Sequence, residues 1–313
     1  MRAVVAEAGS VRLVDADAPP ADALVLRTAQ AGICGSDLHM VADGMAPVTL
    51  GHEFGGWMPD GRLVAIRPTG DCGSCDACLR GVNTGCRSGW ADAYGISAHG
   101  GLADLVAVDA SRVYLMADGS RAKDAALVEP LAISMHGVRR VAPEPGSRAL
   151  VVGAGSIGLL TVAALRSWGV EADIVARHPH QQQAAEALGG RVIDRPARSD
   201  YLCTFDAVCT QETLDACVHA TMPGGRVLEF GMFWGQVQYT NAILFKEVSI
   251  VPAMGYARSA DHDDFRDAAD LAGNHPHLAD TLVTHTFTLE DAPEAFRVAA
   301  DRASGAIKVH LAP

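Results

Sequence analysis

The sequence predicts an α/β protein in two parts, a β-rich domain joined to a doubly wound parallel sheet. Three observations carry this expectation. Before residue 116 the apolar residues fall in short runs separated by Gly, Pro and Asp, the pattern of strands and turns. After Ala142-Pro143-Glu144-Pro145-Gly146-Ser147 the pattern changes to alternating strand and helix, which implies right-handed βαβ units. At that change a glycine-rich turn, Gly153-Ala154-Gly155-Ser156-Ile157-Gly158, follows an apolar run directly.

In the first part the strand candidates are Val4-Val5, Val11 to Val14, Leu24 to Leu26, Leu63 to Ile66 and Leu105 to Val108. Lys123 to Val141 reads as one helix despite Pro130. In the second part strands are expected at Ala149 to Val152, Ala172 to Ala176, Arg191 to Ile193, Ala207 to Cys209, Arg226 to Phe230 and Val248 to Val251. A helix near Asp291 to Ala300 and a strand at Ile307 to Leu311 close the chain.

The 313 residues suffice for two domains with a buried core, and 49% hydrophobic against 20% charged residues is a globular composition. A formal net charge of −12 argues against nucleic acid, whose phosphates require clustered Lys and Arg. No membrane partner is expected: the longest uncharged stretch, Ala149 to Leu165, is too short for a span. The apolar run after Arg2 is interrupted by Glu7, so no export signal is read there. A cytoplasmic, reducing location follows as an expectation, in which cysteines serve better as metal ligands than as disulfides.

Cys72, Cys75, Cys78 and Cys86 are spaced for one tetrahedral Zn²⁺. Glycines at 73, 81 and 85 allow the backbone to turn around a small ion. Four thiolates leave no open coordination position, so this zinc is expected to be structural. Cys203, Cys209 and Cys217 show no ligand-like neighbours in sequence and read as small core residues.

The glycine-rich turn sits between strand and helix, where G-x-G-x-x-G is a dinucleotide fingerprint of the Rossmann type. Gly153 makes the tight turn, Gly155 lets backbone approach a pyrophosphate, and Gly158 lets helix and strand pack closely. Ser156 and Ile157 open the helix whose N-terminus faces the phosphates. An acid ending the second strand would select NAD. Asp173 lies too early in that strand, which ends Ala176-Arg177-His178. A guanidinium there suits a 2′-phosphate, so NADP is preferred over NAD.

Cys34-Gly35-Ser36-Asp37-Leu38-His39 and Gly51-His52-Glu53-Phe54-Gly55-Gly56 contribute further zinc-ligand types in Cys34, His52 and Glu53. With the four-cysteine lobe, Gly100-Gly101, Glu129-Pro130-Leu131, the glycine fingerprint, Gly224-Gly225-Arg226 and Ile307-Lys308-Val309, the chain resembles the zinc-dependent medium-chain dehydrogenases (alcohol, sorbitol and threonine dehydrogenase-like). The likeness runs through essentially the whole chain. It implies a split GroES-like catalytic domain (1–130 and 258–313, with the structural-zinc lobe at about 70–95) and a Rossmann domain (131–257). It also implies one catalytic and one structural zinc, the catalytic ion held by Cys34 and His52 with Glu53, Glu129 or water completing the shell.

The implied reaction exchanges hydride between NAD(P) and a secondary alcohol, polyol or amino alcohol and its ketone. Ser36 would take the hydroxyl proton and His39 would relay it to solvent, while Asp37 would orient His52. A homodimer or homotetramer is the family expectation. The alternatives on the same fold are a zinc-free quinone- or enoyl-type reductase and a non-catalytic nucleotide-binding relative. Two departures stand out. The stretch Trp57 to Arg62 is compact where relatives carry a longer loop, and no acid follows the second coenzyme strand.

Overall fold

A computed structural model of the protein describes residues 1–44 and 48–313. The chain divides into two units, Met1–Glu129 with Ala257–Pro313, and Pro130–Tyr256. The first unit opens with β1 (Arg2–Glu7) and β2 (Ser10–Asp15), an antiparallel hairpin. Its two-residue loop, Ala8-Gly9, has positive φ at both positions, the geometry that matches strand twist. There follow β3 (Val25–Gly32), β4 (Glu53–Trp57), β5 (Leu63–Ile66), β6 (Leu105–Ala107) and β7 (Val113–Leu115).

The second unit carries β8 (Arg148–Val152), β9 (Glu171–Val175), β10 (Arg191–Ile193), β11 (Tyr201–Asp206), β12 (Thr221–Glu229) and β13 (Ser249–Pro252). The chain then returns to the first unit with β14 (Val283–Thr288) and β15 (Lys308–Ala312).

In the first unit β14-β15-β3-β4-β5-β7 form one sheet, with β6 on β3. Leu26, Phe54, Ile66, Leu102 and Leu311 fill its core, their apolar area withdrawn from water. In the second unit the order is β10-β9-β8-β11-β12-β13, with every pair parallel. This is a doubly wound sheet whose connections reverse beside β8, and ligands bind such sheets at the carboxyl ends of the strands.

Two local expectations are corrected, and one strand goes unread. The helix expected over Lys123 to Val141 is two helices, Ala122–Ala126 and Val128–Val141. Pro130 falls in the first turn of the second, where a missing N–H costs nothing. The strand expected at Ala207 to Cys209 lies earlier, as β11, and those residues form the turn after it. β4 escapes the sequence reading because Gly55 and Gly56 weaken its strand pattern. Both glycines are required: a Cβ on Gly55 would stand 2.5 Å from Ala125 Cβ, and one on Gly56 would stand 2.4 Å from the Arg27 carbonyl.

The compact stretch Trp57 to Arg62 becomes a tight turn joining β4 to β5, with Met58 N–H on Arg62 O at 2.9 Å. Asp263 caps helix Asp264–Asn274, its carboxylate accepting the N–H groups of Phe265 and Arg266. The run Asp261 to Asp264 is therefore a helix start, as its acids suggest. Among the described residues no helix is long and apolar enough to cross a membrane.

Candidate functional site

Strand pairing assembles the cluster around Cys34. β3 and β4 run antiparallel with Gly32 opposite Glu53, so the end of β3 meets the start of β4. Cys34 follows β3 as the N-cap of helix Gly35–Ala42, and His52 immediately precedes β4. One ligand atom from each of Cys34, His52 and Glu53 lies within 4.8 Å of the others. Gly32 keeps the space open, since a Cβ there would stand 2.3 Å from Glu53 Oε2.

Asp37 is fully buried and divides its two oxygens. Oδ2 accepts the Cys34 N–H at 2.9 Å, and Oδ1 stands 3.3 Å from His52 Nδ1. That second contact has ion-pair distance without hydrogen-bond alignment. It nevertheless favours a proton on Nδ1. Burial pulls the His52 pKa down, but the charges of Asp37 and Cys34 prevail and hold it well above the usual value. Ser36 Oγ stands 3.3 Å from His52 Nε2. His39 lies on the same helix with its side chain exposed.

Lys308 was singled out in sequence only as part of a motif, and its partner was not legible. From β15 its Nζ donates to Glu53 Oε1 at 2.8 Å, to Glu53 Oε2 at 2.6 Å and to Ile33 O at 3.1 Å. Both partners are buried. Burial disfavours the ammonium, but Glu53 and Cys34 outweigh it and raise the Lys308 pKa. Glu129, in the first turn of helix Val128–Val141, is buried and outside the three-residue cluster. Burial pushes its pKa up to about 8, with His52 and Lys308 opposing and Glu53 adding to the rise.

The four-cysteine lobe also closes on itself. One sulfur from each of Cys72, Cys75, Cys78 and Cys86 lies within 4.8 Å of the others. Cys75 and Cys78 Sγ are 3.6 Å apart, and Cys72 and Cys78 Sγ 4.0 Å. Sulfurs at about 2.3 Å around a tetrahedral zinc would be about 3.8 Å apart. The N–H of Cys75 points at Cys72 Sγ (3.3 Å) and that of Cys72 at Cys86 Sγ (3.4 Å). Backbone N–H groups of Ser74 and Cys75 pull the Cys72 thiol down to about 6, toward the ligating thiolate. Gly73 and Gly81 take positive φ here, and Gly85 does not.

In the second unit Gly153 has φ +99, and a Cβ on Gly158 would stand 1.9 Å from Gly153 O. Gly155, the N-cap of helix Ser156–Ser167, faces open space. Ser156 Oγ is buried without a partner at that helix N-terminus, where Ile157 follows. An open backbone face and an orphaned hydroxyl fit a pyrophosphate.

Asp173 is unsuited to a ribose: it is buried and held by Arg191 at 2.6 Å and Tyr201 at 2.7 Å. Arg177 is exposed and pairs with Glu212 at 3.1 Å. It lines a cavity of about 450 Å³ with Ala176, Asp194, Arg195 and Glu212. Arg195 was not picked out in sequence, because a surface arginine after a three-residue strand carries no motif. Cys203, Cys209 and Cys217 are buried as expected, but Cys209 does have acidic neighbours, Asp206 and Glu229. Strand register brings these together and sequence spacing does not reveal it.

Comparison with known proteins gives a consistent picture. Residues 20–118 match the alcohol dehydrogenase GroES-like domain, and residues 156–274 match the zinc-binding dehydrogenase domain. The chain is 29% identical over 300 residues to L-galactonate-5-dehydrogenase of Escherichia coli (strain K12), covering 87% of this chain and 86% of that protein. It is 28% identical over 324 residues to (R,R)-butanediol dehydrogenase of Bacillus subtilis (strain 168), covering 90% of each. Among solved structures, a zinc-binding dehydrogenase from Sinorhizobium meliloti 1021 bound to NADP superposes with TM-score 0.87. That match is 27% identical and covers 100% of this chain and 99% of that one.

Proposed function

Because the chain belongs to the zinc-dependent medium-chain dehydrogenase family, we propose that it transfers hydride between NAD(P) and a secondary alcohol, polyol or amino alcohol and its ketone. The observation that carries this reading is the convergence of Cys34, His52 and Glu53 in a chain that also bears a dinucleotide turn with an open Gly155. Relatives named for galactonate and butanediol favour a hydroxylated, small substrate. The donor set fits zinc: a thiolate, an imidazole with Nδ1 turned to a carboxylate, and a nearby acid.

Cys34 and His52 would hold the catalytic ion, with Glu53, Glu129 or water completing its shell. Glu53 is occupied by Lys308, whereas Glu129 carries a proton near neutrality that a cation would displace. When bound, the zinc supplies Lewis-acid polarisation of the substrate oxygen and the nicotinamide accepts the hydride. Asp37, 3.3 Å from His52 Nδ1, would orient the His52 ring. Ser36, whose hydroxyl lies beside His52 Nε2, would take the hydroxyl proton, and His39 would pass it to solvent. The four-cysteine lobe would hold the structural ion. Gly153, Gly155, Ser156, Ile157 and Gly158 would cradle the pyrophosphate.

NADP is the preferred coenzyme in this reading, with Arg177 as the 2′-phosphate ligand. Arg177 must first exchange Glu212 for the phosphate. Oxidation of a panel of secondary alcohols, polyols and amino alcohols with each coenzyme tests the proposal, and turnover of none would reject it. In the same assay Arg177→Ala is expected to raise KM for NADP about tenfold and to leave NAD nearly unchanged, the loss of one charge-assisted pair. Equal losses would remove the basis for the NADP preference.

A homodimer or homotetramer is supported by Leu244 and Phe245, 71% and 81% exposed on helix Asn241–Lys246. They lie in sequence just before β13, an edge strand. The reducing cytoplasm remains the proposed compartment, since it keeps ligand thiols reduced.

A further inference from the structure

A third group of potential ligands lies in the second unit, apart from the residues already discussed. Asp206 ends β11 and Glu229 ends β12, and the parallel register sets these two residues opposite each other. Cys209 follows in the turn after β11. One ligand atom from each lies within 4.8 Å of the others, and the three residues are 0%, 4% and 5% exposed for Asp206, Glu229 and Cys209.

Asp206 is locked in place. Its Oδ1 accepts the N–H groups of Val208 (2.9 Å) and Cys209 (2.8 Å), and its Oδ2 accepts the Thr213 hydroxyl (2.8 Å). Gly231 N–H points at Cys209 Sγ at 3.0 Å, a donor suited to a thiolate. That sulfur lies 3.5 Å from Glu229 Oε2. The other oxygen, Glu229 Oε1, is buried without any partner.

Two costs therefore coincide at one spot. A carboxylate oxygen is buried and unsatisfied, and Cys209 adopts φ +59, the left-handed region that favours glycine. Such costs persist where a site over-determines them. Burial and the Asp206 charge push Glu229 up to about 8, and burial with the Asp206 and Glu229 charges pushes Cys209 up to about 12.

We propose that Asp206, Cys209 and Glu229 form a third metal site, taking a divalent ion of the zinc or cobalt kind. A thiolate with two carboxylates is a borderline donor set that suits such ions, with water as a fourth ligand. A sulfur at about 2.3 Å and an oxygen at about 2.1 Å from a tetrahedral ion stand about 3.6 Å apart, close to the Cys209–Glu229 separation. On binding, the ion replaces the protons of Cys209 and Glu229, which pass to solvent.

The test is zinc content per chain, measured by elemental mass spectrometry on full-length protein saturated with zinc and then desalted. Cys209→Gly and Glu229→Gln are each expected to hold one zinc equivalent fewer than the wild type. Cys209→Gly relieves the left-handed backbone, and Glu229→Gln keeps the shape of the side chain, so both should fold. Because these variants leave Cys34, His52 and the four-cysteine lobe intact, the result is independent of the proposed catalysis. Zinc content equal to the wild type in either variant overturns the site.

Discussion

Cys34→Ser is expected to lower kcat by about 10³-fold or more, while the coenzyme Kd stays within about twofold. The serine keeps the size of the side chain, and the cap of helix Gly35–Ala42 survives because Asp37 binds the residue-34 backbone N–H. What is lost is the thiolate. A hydroxyl is a far poorer ligand for zinc at neutral pH. Lewis-acid polarisation is worth several kcal/mol of transition-state stabilisation, and each 1.4 kcal/mol or so is tenfold in rate. The coenzyme turn belongs to the other unit, so fluorescence titration with NADP should register little change. Turnover close to wild type would remove Cys34 from the reaction.

Lys308→Met should cost about 3–5 kcal/mol of stability, because it leaves the Glu53 carboxylate buried and uncompensated. Both side chains of the pair are almost wholly excluded from solvent, so salt offers no screening. For a chain of this size a loss of that kind is expected to lower Tm by about 5–8 °C. The double variant Glu53→Gln with Lys308→Met should regain most of the loss, since it removes both charges together. Thermal unfolding of the two variants and the wild type measures this. A single variant that melts with the wild type would show that the pair carries no structural charge balance.

The parts of the site that were legible in sequence are those built from near neighbours. Cys34, Ser36 and Asp37 share one helical turn, His52 adjoins Glu53, and the four cysteines sit in one lobe. Their chemistry is local and their spacing records it. The same holds for the fingerprint: Gly153 takes a positive φ, Gly155 leaves open space and Gly158 meets the Gly153 carbonyl.

What escaped notice depends on register or on distance along the chain. Lys308 and Glu53 are 255 residues apart, and only the pairing of β15 with β3 and of β3 with β4 joins them. Asp206 and Glu229 meet through the register of β11 and β12. Placing a strand over Ala207 to Cys209 hid the turn in which Cys209 takes its left-handed backbone. Asp173 lies too early in its strand for a ribose acid, and the structure adds a reason that sequence spacing does not show: Arg191 on β10 and Tyr201 on β11 engage both its oxygens.

An anomalous-difference map at the zinc edge, from crystals grown with zinc and NADP, bears most directly on the role of Cys34 and His52. The expected result is a peak bonded to Cys34 Sγ and His52 Nε2, alongside a second peak within the four-cysteine lobe. A filled four-cysteine lobe with no peak between Cys34 and His52 would contradict zinc-dependent hydride transfer by this chain.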